Sequence, residues 1–222
     1  MKPKGKEQPD QRINSAAGAS RKTVGLSRVG IYSGTFDPVH AGHIAFALQA
    51  LEAAKLNKLY FLPERRPRHK EGVEHFGHRV AMLRRAIKPH AKFDIIELDD
   101  TSFSVQRTLP QLQKLLPDDQ LIFLFGSDSV LHMAEWPHIE RLFADCELVI
   151  GKRKGQTVKD IHATVASWPK PPIITLINSY APDVSSTTIR QALQNRQDAK
   201  GLLKSVAKYS NHHWLYVSLK NV

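Results

Sequence analysis

Residues 34–43 read GTFDPVHAGH and follow directly on an apolar run, VGIYS, at 29–33. A short apolar run that ends in glycine and gives way to helical spacing marks a strand-to-helix junction. Gly34 ends the run and permits a tight turn or the close approach of a ligand. Pro38 fixes the loop and keeps Asp37 out of the helical region. Over residues 42–55, Ile44, Ala47, Leu48, Leu51 and Ala54 recur at helical spacing. His40 and His43 therefore stand at the mouth of a helix, where free N–H groups and the helix dipole attract anions. Gly42 lets the backbone come close to such an anion. Both imidazoles can donate hydrogen bonds to phosphate oxygens, and a cationic imidazole would offset charge on a departing phosphate group.

Outward from this junction, apolar runs alternate with amphipathic stretches. Strands are expected at 29–33, 58–62, 92–97, 120–125, 147–151 and 173–176. Helices are expected at 42–55, 78–87, 105–116, 187–194 and 202–209. This alternation predicts an α/β fold, a Rossmann-like doubly wound parallel sheet with helices on both faces. Its crossovers should be right-handed, and its ligand should lie beyond the carboxyl ends of the strands at the switch point. Residues 63–77, 168–172 and 179–185, rich in charge or proline, read as loops.

A chain of 222 residues with 41% hydrophobic and 24% charged residues can bury one full core. The single cysteine, Cys146, excludes an internal disulfide framework and sits in an apolar run, as a core residue would. No stretch approaches the ~18 apolar residues of a membrane span, and no apolar segment follows the basic N-terminus as in a secretory signal. Cytoplasmic residence is the expectation. The net charge is +11; residues 1–28 hold seven Lys/Arg and two acids, so they supply +5 and the remainder +6. Residues 1–27, poor in large apolar side chains, are expected to form a disordered basic tail, with one domain over 28–222. A basic body fits polyanionic ligands; it also fits nucleic-acid binding, for which the tail is the natural element.

A second stretch, SSTTIR at 185–190, places hydroxyl side chains at a helix start and Arg190 about one turn on. Such a start can hold phosphate oxygens, and the guanidinium fork matches their geometry. The rival reading of His40 and His43 is zinc, since His-x-x-His is compatible with ligation. A structural site needs about four ligands, and no further Cys, Glu or His stands nearby at ligand spacing.

The stretch at 34–43 resembles the HxGH motif of the nucleotidyltransferase superfamily, and within it the chain most resembles bacterial nicotinate-nucleotide adenylyltransferase, from about Val29 to Tyr216. Residues 185–190 resemble that family's SSTxIR, Lys70 after His69 its HK pair, and Gly126-Ser-Asp128 its GxD. The resemblance implies adenylyl transfer from ATP to nicotinate mononucleotide, giving nicotinate adenine dinucleotide and pyrophosphate in NAD biosynthesis. It implies that His40, His43, Lys70 and Arg190 surround the triphosphate. Gly34, Thr35, Phe36, Gly42, Gly126, Asp128, Arg153, Ser185, Ser186 and Thr187 would complete the ATP site. Trp136 would stack on the pyridine ring, with Ser104 nearby on the acceptor side. Magnesium would accompany ATP with few or no protein ligands. Arg79, in a segment that also resembles the family, reads as structural, and Val206, Tyr209, Leu215 and Tyr216 as a closing helix that packs.

Two departures fall at the expected acceptor pocket. The segment Ser102-Phe-Ser104 reaches Thr108-Leu109 one residue later than the family pattern, and Trp136 is followed by Pro137. Proline has no N–H, whereas the family recognises the nicotinate carboxylate through backbone amides here. Nicotinamide mononucleotide and phosphopantetheine adenylyltransferases, and glycerol-phosphate cytidylyltransferase, are the alternatives within the superfamily. From another class, the chain could be a basic RNA-binding protein on a degenerate nucleotide-binding fold. It lacks the interleaved aromatic residues such binding uses.

Overall fold

The computed structural model describes residues 11–13, 25–68, 70–153, 155–178 and 184–217. His69, Lys154, residues 179–183 and most of the N-terminal stretch lie outside that description. The described chain runs β1 (Gln11–Ile13), β2 (Ser27–Gly34), α1 (Ala41–Ala53), β3 (Lys58–Pro63), α2 (Phe76–Ile87), β4 (Phe93–Ile95) and α3 (Val105–Leu115). It continues through β5 (Asp119–Gly126), α4 (Ser127–Met133), α5 (Ile139–Asp145), β6 (Glu147–Lys152), α6 (Val158–Ala166), β7 (Ile174–Asn178), α7 (Ser186–Gln194) and α8 (Lys204–His212).

The sheet order is β1-β7-β6-β5-β2-β3-β4. All pairs from β7 to β4 are parallel, and β1 joins β7 antiparallel. The six parallel strands thus run outward in both directions from β2 and β5, which is the doubly wound topology. The switch point lies between β2 and β5, so a ligand crevice is expected beyond Gly34 and Gly126.

Side-chain alternation builds the two cores. On β5, Leu121, Phe123 and Phe125 face one cluster with α3, α4, α5 and α6. Ile122 and Leu124 face the other, with α1, α2 and α8. The same period of two places Leu148 and Ile150 of β6 on the first face and Val149 on the second.

The first β-α unit matches its expected position closely. Elsewhere the structure extends the sequence reading. The segment expected as a strand over 92–97 is a strand over Phe93–Ile95, flanked by single backbone bonds that link Lys92 and Ile96 to β3. Gln11–Ile13, inside the stretch expected as a disordered tail, forms an edge strand, and β2 begins at Ser27, two residues before the expected Val29. Among the described residues, no helix is long and apolar enough to cross a membrane.

Candidate active site

One cavity of about 750 Å³ opens at the carboxyl ends of β2, β5 and β6. The starts of α1 and α7 meet there: His40, Gly42 and His43 line it together with Ser185, Ser186 and Thr187. The two motifs also touch, since Ser186 Oγ donates to the Pro38 carbonyl at 3.0 Å. Two helix beginnings about 145 residues apart in sequence therefore open on a shared space, each turning its positive dipole end toward it.

The loop between β2 and α1 is held in an unusual shape. Phe36 has φ +51°, and a non-glycine residue in that region costs about 1–3 kcal/mol. Packing fixes it: the Phe36 ring lies edge-on to Tyr32, His43 and Phe61 at 5.4, 5.1 and 5.5 Å. Gly34 makes room, because a Cβ there would meet the Phe36 ring at 2.9 Å. The Asp37–Pro38 peptide is cis.

Asp37 is the buried tie of this loop. Its Oδ1 accepts from the Tyr216 hydroxyl at 2.6 Å and its Oδ2 from the Glu74 N–H at 3.4 Å. Arg190 Nη1 donates to the Asp37 carbonyl at 2.7 Å and stands 3.7 Å from Oδ2. Burial, and next the Asp37 charge, push the Tyr216 hydroxyl far above its ordinary pKa, so it remains a donor. Below the loop, the buried Arg79 donates to the carbonyls of Thr35, Glu64, Arg65 and Glu74. Its structural role follows from those bonds.

His40 and His43 stack at a centroid distance of 3.7 Å. His43 Nδ1 accepts from the His40 N–H at 3.2 Å, which assigns the His43 proton to Nε2. Burial, then the charge of Arg153, lowers His40 to a pKa of about 4. Burial, then His40, Arg153 and Lys70, holds His43 well below the ordinary histidine value. This corrects the expectation of a cationic imidazole. Burial thus favours the neutral form of both rings at pH 7. Zinc fits poorly: the rings stack instead of converging, and among the described residues no group of three or more His, Cys, Asp or Glu could hold a metal.

The remaining predicted residues divide into two sets. Lys70 lines the cavity and donates to Thr35 Oγ1 at 2.9 Å, so the charged loop does reach the first motif. Gly34, Thr35, Phe36, Gly126, Asp128, Arg153, Ser104 and Trp136 line it too. Asp128 and Arg153 form an ion pair at 2.9 Å, both largely exposed. Trp136 also packs against Phe125, at 5.5 Å and 79°. Arg190 is the exception. It is absent from the cavity wall and spends its guanidinium on Asp37 and on Thr187 Oγ1, at 3.4 Å. In this structure it positions the loop that carries His40 rather than facing the ligand space.

Sequence reading missed Glu64, Arg68 and Ser33, and it took Tyr216, which lies beyond α8 and bonds Asp37, for packing in a closing helix. Ser33 lines the cavity with its Oγ buried and unpartnered among the described residues. Arg68 lines it from the charged loop, its Nε donating to Ser102 Oγ at 3.0 Å. The composition of that loop gave no means of ranking Arg65, Arg66, Arg68 and Lys70. Tyr216 lies 179 residues from Asp37, and no local pattern signals that bond.

The cytidylyltransferase-like family profile matches residues 31–192. The nicotinate-nucleotide adenylyltransferase of Bacillus subtilis is 30% identical over 199 residues, covering 87% of this chain and all of the relative. A Geobacillus thermodenitrificans protein named "Probable nicotinate-nucleotide adenylyltransferase" is 33% identical over 198 residues, covering 86% of this chain and 87% of its own. Among solved structures, Plasmodium falciparum nicotinic acid mononucleotide adenylyltransferase complexed with APC superposes with a TM-score of 0.70 at 20% identity, over 86% of this chain and 97% of that one. At that identity the likeness speaks for the fold.

Proposed function

The chain belongs to the cytidylyltransferase-like family and, within it, to the nicotinate-nucleotide adenylyltransferases, and from that premise we propose that it transfers the adenylyl group of ATP to nicotinate mononucleotide. The observation that carries this reading is the single cavity shared by the starts of α1 and α7. One start suits one end of a triphosphate and the other start the opposite end.

In this reading an oxygen of the mononucleotide's 5′-phosphate attacks the α-phosphorus of ATP. The new P–O bond forms as the bond to the β-phosphate oxygen breaks, and pyrophosphate leaves with that electron pair. The attacking phosphate is already ionised at neutral pH, so no side chain must remove a proton. Catalysis rests on in-line positioning and on stabilising charge as it moves to the β-phosphate. His43 Nε2–H and the buried His40 ring donate to phosphate oxygens without bringing a counter-charge. Lys70, Arg153 and the two helix dipoles supply the positive field. Ser185, Ser186 and Thr187 hold the far phosphates, and Arg190 and Tyr216 keep the His40 loop in register through Asp37. Gly126 and Asp128 lie at the end of β5, where a ribose hydroxyl would sit.

Magnesium is the divalent ion we assign to the triphosphate. The chain offers it little: the two carboxylates lining the cavity, Glu64 and Asp128, are engaged by the Phe103 N–H and by Arg153. Phosphate oxygens and water would carry it.

Pyrophosphate release from ATP tests the reading, with nicotinate mononucleotide, nicotinamide mononucleotide and phosphopantetheine offered in turn. Release driven by a pyridine mononucleotide, with matching dinucleotide formation, is the expected result. Release with phosphopantetheine alone, or with none of the three, would reject it.

A further inference from the structure

The cavity's second end, away from the helix starts, is walled by Phe103, Phe125 and Trp136. A flat aromatic ring fits such a wall. Three backbone positions beside that wall have no N–H to spare for an acid on that ring. Phe103 N–H donates to Glu64 Oε1 at 3.1 Å, and Ser104 N–H donates to Thr108 Oγ1 at 3.0 Å. Pro137 has no N–H at all.

Among the described residues, three cations line the cavity: Lys70, Arg68 and Arg153. Lys70 is held at Thr35 on the phosphate side, and Arg153 is paired with Asp128 at the end of β5. Arg68 alone is anchored to the segment that carries Phe103 and Ser104. Its Nε is fixed by the buried Ser102 hydroxyl, and Nη1 and Nη2 have no hydrogen bond or ion pair among the described residues. A guanidinium held through Nε presents its two remaining nitrogens as a fork, the geometry that matches a carboxylate.

We propose that Arg68 is the specificity-determining residue of the acceptor pocket, its Nη fork pairing with the carboxylate of the nicotinate ring and so selecting the acid over the amide. This rests on the reading of the enzyme as a pyridine-mononucleotide adenylyltransferase. Glu64, on the same side of the cavity, acts against it: its carboxylate would repel the acid and accept from an amide NH₂. Acid preference is thus the outcome of Arg68 against Glu64, and changing either side chain should move it in opposite directions.

The experiment is steady-state kinetics of the full chain with both mononucleotides, for the wild type and for Arg68→Ala, Arg68→Lys and Glu64→Gln. Loss of a charge-assisted fork predicts a fall of about 10- to 100-fold in kcat/KM for the acid in Arg68→Ala, mostly through KM. The amide should change by less than about threefold, with the KM for ATP unaltered. Arg68→Lys should recover part of the preference, and Glu64→Gln should raise it. Equal losses on both substrates, an effect confined to ATP, or a wild type that prefers the amide would overturn the assignment of Arg68 while leaving the adenylyltransferase reading in place. A wild type that turns over neither mononucleotide would overturn the function itself, and the inference with it.

Discussion

The two ends of the cavity are built by different means. At the end we assign to phosphate, the helix-start residues lining the cavity belong to two contiguous motifs, and a buried network locks the first. Phe36 is wedged among three rings, and Asp37 is held by Tyr216, Arg190 and Glu74. At the acceptor end the wall is assembled from scattered pieces: a charged loop, the start of α3 and the turn after α4. The contrast separates a rigidly fixed kind of chemistry from a tunable kind of recognition. Phosphate needs dipoles and donors in one fixed place, which a short rigid motif can supply. Choice between two similar rings needs one or two side chains, which loops can exchange.

If the contrast is sound, damage to the phosphate end should be the more severe. Replacing His43 by Ala removes a positioned donor and should lower kcat by about 10²- to 10³-fold. A melting temperature close to the parent's would show that the loss is chemical. Near-normal turnover would deny His43 its role.

Next in size is the tie behind that end. Tyr216→Phe removes only the hydroxyl that donates to the buried Asp37, and should reduce stability by about 1–3 kcal/mol in chemical denaturation. It should also lower kcat more than it raises the KM for ATP, because the loop still exists but is less well aligned. A stability loss with unchanged kinetics would reduce Tyr216 to packing.

The neutral imidazoles give a pH signature. His40 has a folded pKa of about 4, below the ordinary unfolded value near 6.5. The unfolded chain therefore binds the proton first as pH falls. Its stabilising contribution is whole above about pH 6.5 and is lost progressively down to about 4, and His43 acts in the same direction. For His40 the full effect is on the order of 3 kcal/mol. Denaturation curves from pH 7 to 4 should show the decline, and His40→Ala should flatten it. The same neutrality predicts that kcat/KM does not fall as pH rises through 6.5, whereas a required imidazolium would make it fall.

The acceptor end should respond least. Pro137→Ala restores a backbone N–H beside Trp136 and should change the ratio of acid to amide turnover by less than about tenfold, with kcat for the better substrate unchanged. A collapse of kcat would mean that this turn supports the phosphate end too. Asp128→Asn breaks an ion pair between two largely exposed groups, so its stability effect should stay below about 1 kcal/mol in the same denaturation assay.

Legibility followed the same division. The apolar run at 120–125, the glycine turn at 34 and the cap at 185 are local signals with local causes, and they marked a central strand and both helix starts. The short helices left less trace. The turn into α5 passes through His138 in a left-handed conformation with no side-chain cap, so nothing in its sequence marks the start. The helix α6 did carry a signal, the reciprocal Thr157 and Asp160 capping box, which could have been read. Arg190 shows the limit from the other side. Its motif placed it correctly on α7, but whether a guanidinium faces ligand or protein depends on which carbonyl lies opposite, and that is the tertiary fact supplied by Asp37.

The central claim is that one triphosphate spans the starts of α1 and α7. A structure of this protein with a non-hydrolysable ATP analogue bound tests it most directly. The account predicts phosphate oxygens within hydrogen-bond distance of His43 Nε2 at one end and of the Ser185–Thr187 segment at the other. An analogue whose phosphates lie outside that cavity, or touch only one of the two helix starts, would contradict it.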